Sequence, residues 1–230
     1  MRWHSPILKR VSLLIFGCGL LVWAGAAPAA PGAVVTLDHS LSAPASKLPL
    51  LVNRTLGIAR HSCADLIAAI AAGKDLGEIT EMPQFNAYVA CIAVKLVAEG
   101  RGAREANIAL QHAGARIYRD LDLASVASSL APRWPAQHYR LHDFKFGVVQ
   151  IAPLWALLRG DGFLYTFQVL ALGDFRGLGK GELLVRFGDR ATNGGTNDKQ
   201  SVRVVGSSLS STALLATDAI EVLKARTMQR

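Results

Sequence analysis

Two histidines and an aspartate near the middle of the chain are its most suggestive polar cluster. His138 and His142 stand four residues apart, and Asp143 follows the second of them. On a helix this spacing would place both imidazoles on one face, where they could bind zinc. Residues 137–146, however, have the pattern of a loop that runs into a strand, and positions four apart on a strand are separated by roughly 13 Å. We therefore predict a solvated histidine pair and no metal site.

General-base catalysis is a second use for such side chains. His112, His138 and His142 are the candidate bases of a hydrolase whose active site is assembled from separate segments. The chain lacks the local motifs G-x-S-x-G, S-x-x-K and H-E-x-x-H, and it has no Walker phosphate-binding loop. The hydrolase stays an alternative, and the leading prediction contains no catalytic residue and no cofactor.

Two of the three cysteines form a plausible structural pair. Cys63 and Cys91 fall within two predicted helices, 28 positions apart, and neither belongs to a C-x-x-C motif. In an exported protein such a pair most simply forms a disulfide, which would cross-link a helical hairpin. Closing a loop of this size stabilises a fold by about 3–4 kcal/mol. We predict a structural disulfide rather than a redox or nucleophilic cysteine.

Export itself is predicted from the N terminus. Residues 1–29 contain basic residues but no acid, and an apolar run from Val11 to Ala27 ends among small residues. This is the pattern of a secretory signal peptide, with cleavage after Ala26 or Ala29. The mature protein would then be periplasmic or secreted.

Two alternatives for this segment stay open. Ile15-Phe16-Gly17-Cys18 resembles a bacterial lipobox, whose cysteine would carry lipid. A retained apolar run would instead anchor the chain, although about 17 residues is the lower limit for spanning a bilayer. In either case the protein would be a membrane-tethered accessory protein, so we expect a membrane contact only if Cys18 is lipidated or the run is retained.

Composition and charge exclude several other classes. The chain has 230 residues, of which 51% are hydrophobic and 18% charged. This excludes intrinsic disorder, and three cysteines exclude a disulfide-dense mini-protein. The net charge of +8 falls to +5 without residues 1–29, and the excess lies in residues 132–230, with 13 basic and eight acidic side chains. This excess most simply forms a modestly basic solvated surface, and the functional alternative is an acidic partner, either a protein or an anionic envelope polymer. Because the basic residues are scattered, we expect no nucleic acid as partner.

The first half of the mature chain is predicted to be a linker followed by helices. Residues 30–56 have three prolines and no sustained periodicity, which is typical of a linker. Residues 57–131 carry apolar stripes at helical spacing, and the first contains Cys63, Leu66 and Ile70. Further helices are expected over residues 83–100, 106–121 and 123–130.

Residues 132–230 change to short alternating runs separated by glycine-rich turns. Strands are expected at 144–148, 163–172, 182–187 and 201–205, and residues 215–223 fit a closing helix, with a strand as alternative. The predicted fold class is α+β: a disulfide-linked helical hairpin plus further helices, then a small antiparallel β-meander and a C-terminal helix. Within this region Arg159-Gly160-Asp161 matches an adhesion tripeptide, but turn chemistry is the stronger interpretation. For Trp134 and Trp155 we expect core packing rather than a binding face.

One segment of the predicted sheet resembles a known repeat. Residues 173–197 begin Gly-Asp-Phe-Arg-Gly-Leu-Gly-Lys-Gly-Glu-Leu-Leu-Val, which is similar to the strand–loop–strand segment of FG-GAP and VCBS-type repeats. The resemblance implies an acidic calcium loop between two strands. Arg176 and Leu178, however, occupy positions that usually carry an acid or amide, which leaves Asp174 and Glu182. Since calcium takes six to eight oxygen ligands, no metal role is transferred to this chain.

These features together predict an exported, non-catalytic protein that binds another macromolecule of the cell envelope. In size and plan the chain also resembles small helical periplasmic proteins with one disulfide, among them immunity proteins against secreted amidases. That resemblance implies an inhibitor-like role and transfers no residue.

Intact mass spectrometry of the protein purified from expressing bacteria tests the N-terminal prediction. We expect a mass that fits residues 27–230 or 30–230, because the signal peptidase removes the apolar run. A mass that includes a lipidated Cys18, or the whole N-terminal segment, would contradict cleavage and support the tethered alternative.

Overall fold

A computed structural model describes residues 34–38, 62–73, 82–105, 108–126, 140–160, 162–194, 198–207 and 213–228, with backbone alone for 82–87 and 198. Several sequence predictions concern positions outside these ranges: the signal peptide, Cys18, most of the 30–56 linker, Trp134, His138 and Asp161. None of the helices within the described residues combines the length and hydropathy needed to cross a bilayer.

Seven antiparallel strands form one sheet, and six of them follow each other in chain order. They are β1 (Val35–Thr36), β2 (Val148–Ala152), β3 (Trp155–Gly160), β4 (Phe163–Gly173), β5 (Glu182–Ala191), β6 (Asp198–Ser207) and β7 (Leu214–Asp218). The order β2-β3-β4-β5-β6-β7 is the predicted meander, and β1 pairs with the end of β4. Four α-helices accompany the sheet: α1 (Cys63–Ala71), α2 (Met82–Glu99), α3 (Ala113–Asp120) and α4 (Ala219–Met228). The predicted α+β fold is confirmed.

Helices α1 and α2 are cross-linked by the predicted disulfide between Cys63 and Cys91. Ser62 caps α1, because its hydroxyl accepts a hydrogen bond from the Asp65 amide at 3.3 Å. One stripe of α1, which includes Leu66 and Ile70, is buried with the middle of α2. The cysteines therefore join two helices at their packed faces.

The helices cover the two faces of the sheet unequally. On one face α1, α2 and α4 share a buried cluster with Leu170 of β4, Leu184 of β5 and Val204 of β6. On the other face α3 packs with residues of β3, β4 and β5, among them Tyr165 and Phe187. Because successive residues of a strand point to opposite faces, β4, β5 and β6 contribute to both clusters, whereas the buried residues of β3 belong to the second cluster alone.

The third helix is shorter than predicted. Instead of running from 106 to 121, α3 follows a 3-10 turn at Leu110–His112 and starts at Ala113. It begins where the chain meets the β2–β3 turn, since the Gly114 amide donates to the Pro153 carbonyl at 2.8 Å. A Cβ atom at Gly114 would collide with the carbonyl oxygen of Ala152. Close contact with the hairpin, which no periodicity reveals, fixes the helix start.

The first predicted strand is also misplaced. Residues 141–143 form a 3-10 turn, and the strand begins at Val148 rather than at Phe144. Phe144 and Phe146 alternate with other residues as they would in a strand, but they belong to a loop that packs both rings against the core. The centroid of the Phe146 ring lies 6.0 Å from that of Tyr165. The run Val148–Ala152 then pairs with β3 across the two-residue turn Pro153-Leu154. Residues 215–223, for which a helix or a strand was expected, contain both: β7 ends at Asp218 and α4 begins at Ala219.

The disulfide generates a stability prediction. Replacing Cys63 and Cys91 together by alanine should lower the free energy of unfolding by about 3–4 kcal/mol, because the unfolded chain gains the entropy of an open loop. Urea unfolding measures the difference. The chemically reduced parent is the matched control, since it loses the cross-link but keeps both buried side chains. Two free thiols on the denatured parent would contradict the disulfide.

Candidate binding face

The histidine prediction is tested at His142, which lies in the 3-10 turn at residues 141–143. Its Nδ1 atom is 2.9 Å from the Arg119 carbonyl oxygen, and its Nε2 atom is 3.2 Å from Asp143 Oδ1. Both ring nitrogens therefore lie within hydrogen-bonding distance of oxygen atoms of this chain. Among the described residues no group of three His, Cys, Asp or Glu side chains could hold a metal ion.

A buried carboxylate next to this turn is neutralised by arginine. Asp120 is 7% exposed, and Arg119 donates two hydrogen bonds of 2.8 Å to its two oxygens. Arg116 Nε lies 3.5 Å from Asp120 Oδ2. The hydrogen bonds from Arg119 are the largest influence and lower the pKa of Asp120, while burial opposes them. The pair thus stabilises the fold above the ordinary pKa of an aspartate, and this contribution is lost as the pH falls through the lowered value.

The loop between β4 and β5 uses its own acids as internal ligands. Glu182 is 1% exposed; its Oε2 atom accepts hydrogen bonds from the amides of Phe175 and Arg176 at 2.9 and 2.8 Å, and the Arg176 guanidinium bonds to Oε1. Asp174 accepts from the amides of Leu178 and Gly179 at 2.8 and 2.9 Å. A guanidinium and four backbone amides therefore surround the two carboxylates of the segment that resembles a calcium loop.

The same loop is tied to the helices. Arg226 of α4 donates to the Asp174 carbonyl oxygen at 3.1 Å and also to that of Glu99 at the end of α2. Throughout the described residues, every buried side-chain nitrogen and oxygen atom has a hydrogen-bond partner. These charged residues are framework, and a functional surface must be sought outside the core.

One part of the sheet is left uncovered by the helices that the structure describes. It lies on the same face as α1, α2 and α4 but nearer to β2 and β3, and its cross-strand partners form three rows. The first row contains Val148, Arg159, Leu164 and Arg190. The second contains Gln150, Leu157, Thr166, Gly188 and Gln200, and the third Ala152, Trp155, Gln168 and Arg186. We call this surface the open face.

Exposure distinguishes the two sides of β3 and β4. Trp155 is 41% exposed and Val148 37% exposed, and Arg159 and Arg190 are exposed as well. Residues that alternate with them on the same strands, such as Leu158 and Phe167, are 0% and 1% exposed. The period-2 alternation of β3 and β4 thus separates a covered face from the open face.

The open face combines apolar and positive side chains. Trp155, Val148, Leu157 and Leu164 provide an aromatic and aliphatic surface, which three arginines surround. Arg186 donates to Gln200 Oε1, with its Nε atom at 2.8 Å. No acidic side chain is present among the described side chains of the three rows; Asp198 stands in register with Arg190, where only its backbone is described.

Glycine at position 188 keeps the centre of this surface flat. Gly188 lies between Thr166 and Gln200 in the middle row, and a Cβ atom there would collide with the Thr166 hydroxyl. A side chain at this position would therefore push Thr166 aside and raise the surface. Flatness favours a broad contact over a pocket.

Two sequence interpretations are wrong at this surface. Trp155 was expected to pack in the core but is exposed, because β3 turns it toward the face that the helices leave open. Arg159 and Gly160 were expected in a turn, but they belong to β3. Alternation with the buried Ala156 and Leu158 is the signal that would have placed Trp155 and Arg159 on one exposed face.

The loop between β4 and β5 generates a prediction that separates framework from surface. Arg176→Leu should cost about 3 kcal/mol, because it leaves the buried Glu182 carboxylate without its cation; the partial exposure of Arg176 puts the loss at the low end for a broken buried pair. The double variant Arg176→Leu/Glu182→Gln should recover most of the lost free energy of unfolding, because it contains no unpaired buried carboxylate. Denaturant unfolding measures both variants.

Lys224→Leu is the matched control, since it breaks an exposed ion pair with Glu221 and should change stability by no more than about 0.5 kcal/mol. An Arg176→Leu variant as stable as the parent would contradict the framework role.

No counterpart of the open face is found among known proteins. Comparison of the chain with protein-family models, with curated proteins and with solved structures finds no match. The role of the open face is therefore argued from its own residues.

Proposed function

We propose that this is an exported, non-catalytic protein that binds another macromolecule of the cell envelope through the open face. The observation that carries the proposal is the exposed sheet surface that Trp155 shares with Arg159, Arg186 and Arg190, with Trp155 and Arg186 in one row and Arg159 and Arg190 in another. Tryptophan and arginine are the residues that most often dominate binding energy at protein interfaces. Their concentration on one open surface of the sheet favours recognition over structure.

The charge of the open face selects an acidic partner. Guanidinium groups form paired hydrogen bonds with carboxylates and phosphates. Arg159 and Arg190 flank Leu164 in one row, so their strands are two spacings, about 10 Å, apart. Two arginines at this distance suit separate anionic groups on either side of an apolar contact.

The apolar residues favour a protein over a charged polymer. Val148, Leu157 and Leu164 need complementary apolar surface to be covered, and a polymer that offers only anionic groups would leave them in water. A folded protein surface with carboxylates around an apolar centre matches both components. We therefore propose an acidic protein of the envelope as partner, which also fits an inhibitor-like role.

Export is supported by the disulfide. A cross-link between Cys63 and Cys91 persists in oxidising compartments and is rare in the cytosol of most organisms. It agrees with the signal-peptide pattern of residues 1–29, whose removal the mass measurement tests. The proposed site of action is the periplasm or the extracellular space.

Capture from envelope extracts tests the proposed function. Parent protein should retain an acidic protein partner, and Trp155→Ala should weaken binding by about 2 kcal/mol, or roughly thirtyfold in Kd. Arg159→Glu should weaken it further, because a carboxylate would then face the anionic partner. Arg104→Glu is the matched control, since Arg104 is exposed near the β4–β5 loop, at the opposite end of β5 from Arg190.

Three outcomes would contradict the proposal. One is a parent protein that retains no partner above background. Another is a partner held equally by parent, Trp155→Ala and Arg159→Glu. The third is retention of an anionic polymer alone, with binding that added salt abolishes and that Trp155→Ala leaves unchanged. This outcome would contradict a protein as the partner. Thermal unfolding of each variant checks that the fold is retained.

A further inference from the structure

One edge of the sheet carries the most apolar exposed segment of the described residues. Strand β2 has the sequence Val-Val-Gln-Ile-Ala, with no charged residue. Val149 is 40% exposed and Ile151 42% exposed. Within the described residues, β3 is its only partner strand, so the side of β2 away from β3 presents unpaired backbone groups.

The opposite edge of the sheet is protected. The Leu214 carbonyl oxygen of β7 accepts a hydrogen bond from the Asp122 amide at 2.9 Å. The Ala216 amide donates to the Ser125 hydroxyl, also at 2.9 Å. Folded proteins usually block open edges with such contacts, or with charges and proline. Within the described residues no such contact reaches the outer side of β2, and the strand itself contains no charge and no proline, so this edge is open to pairing.

We propose that β2 pairs with β2 of a second copy of this chain, antiparallel and about a two-fold axis at Gln150. In this register Val149 stands opposite Ile151 of the other copy, Val148 opposite Ala152, and Gln150 opposite itself. The register follows from the hairpin. Ala152 and Trp155 close its two-residue turn and exchange hydrogen bonds, so alternation directs the backbone groups of Val149 and Ile151 outward.

The distribution of charge permits a second copy as the occupant at β2 but opposes one at the open face. The chain is basic, and contact between two open faces would oppose arginines on both sides. Strand β2 has no charge, so two copies can meet there without repulsion. In the proposed register the Cα atoms of the two Arg159 residues are about 20 Å apart, because they are separated by three strand spacings across the sheet and by four residues along it. That exceeds the Debye length of about 8 Å at physiological salt.

The pairing would extend one sheet through both copies. Val148, Gln150 and Ala152 lie on the open face, so the two open faces would become continuous across the two-fold axis. A partner with repeated or two-fold symmetric acidic sites would then bind both copies at once. The dimer itself does not depend on the proposed function.

A cysteine at the axis tests the register. Gln150→Cys should form a disulfide-linked dimer in air, because the two residues face each other at a close pair. Gln168→Cys is the matched control: Gln168 is an exposed glutamine of the open face, on β4 and away from the edge. Both variants carry Cys18→Ser, and non-reducing electrophoresis compares them. We expect several times more covalent dimer for Gln150→Cys, and equal amounts would overturn the proposal.

Sedimentation tests the dimer without cysteine chemistry. The parent should sediment as a dimer, and Ile151→Lys as a folded monomer, since a charge at the edge opposes pairing. Leu178→Lys is the matched control, because Leu178 is 55% exposed in the β4–β5 loop, and this variant should remain dimeric. A parent that is monomeric over its whole soluble range would overturn the proposal, whether or not the envelope partner is found.

Discussion

Burial of a long antiparallel sheet is the constraint on which this structure depends. Strands β4 and β5 span 11 and 10 residues and pair along most of their length. Each has two faces, and the four helices of the described residues do not cover both from end to end. Helices α1, α2 and α4 gather over residues such as Leu184 and Val204, while α3 covers the opposite side. The open face is the remainder, and its exposed residues are those that solvent or a partner must cover.

The charged residues of the core hold the elements that make this division. Glu182 and Asp174 organise the β4–β5 loop, and Arg226 ties that loop to the ends of α2 and α4. A buried carboxylate is tolerated there because it accepts two amide hydrogen bonds and faces a guanidinium. The loop thereby fixes the helical layer at one end of the sheet. The other end, with β2 and β3, is left without a helical cover on that side.

Sequence patterns predicted what is local and missed what depends on contact. The α1 stripe, the cysteine pair and the later strands follow from periodicity or from residue type, and the structure confirms them. The start of α3 depends on the fit of Gly114 against the β2–β3 turn. The exposure of Trp155 depends on where three other helices end. The start of α3 has no local sequence signal, whereas alternation with Ala156 and Leu158 places Trp155 opposite the buried side of β3. Hydrophobicity alone placed Trp155 in the core and left the open face unpredicted.

The net charge does not distinguish arginines that hold the fold together from arginines that are exposed on the open face. Residues 132–230 hold the whole basic excess, but its arginines serve two purposes. Arg176, Arg203 and Arg226 are bound to Glu182, Asp218 and backbone carbonyls, respectively. Arg159 and Arg190 are exposed on either side of Leu164 in one row, and Trp155 lies on the same face four residues before Arg159. A solvated basic surface would not require an aromatic ring among its arginines. Trp155 is 41% exposed and Val148 37% exposed, so a partner that covered the open face would remove this apolar area from water, as the proposed function requires.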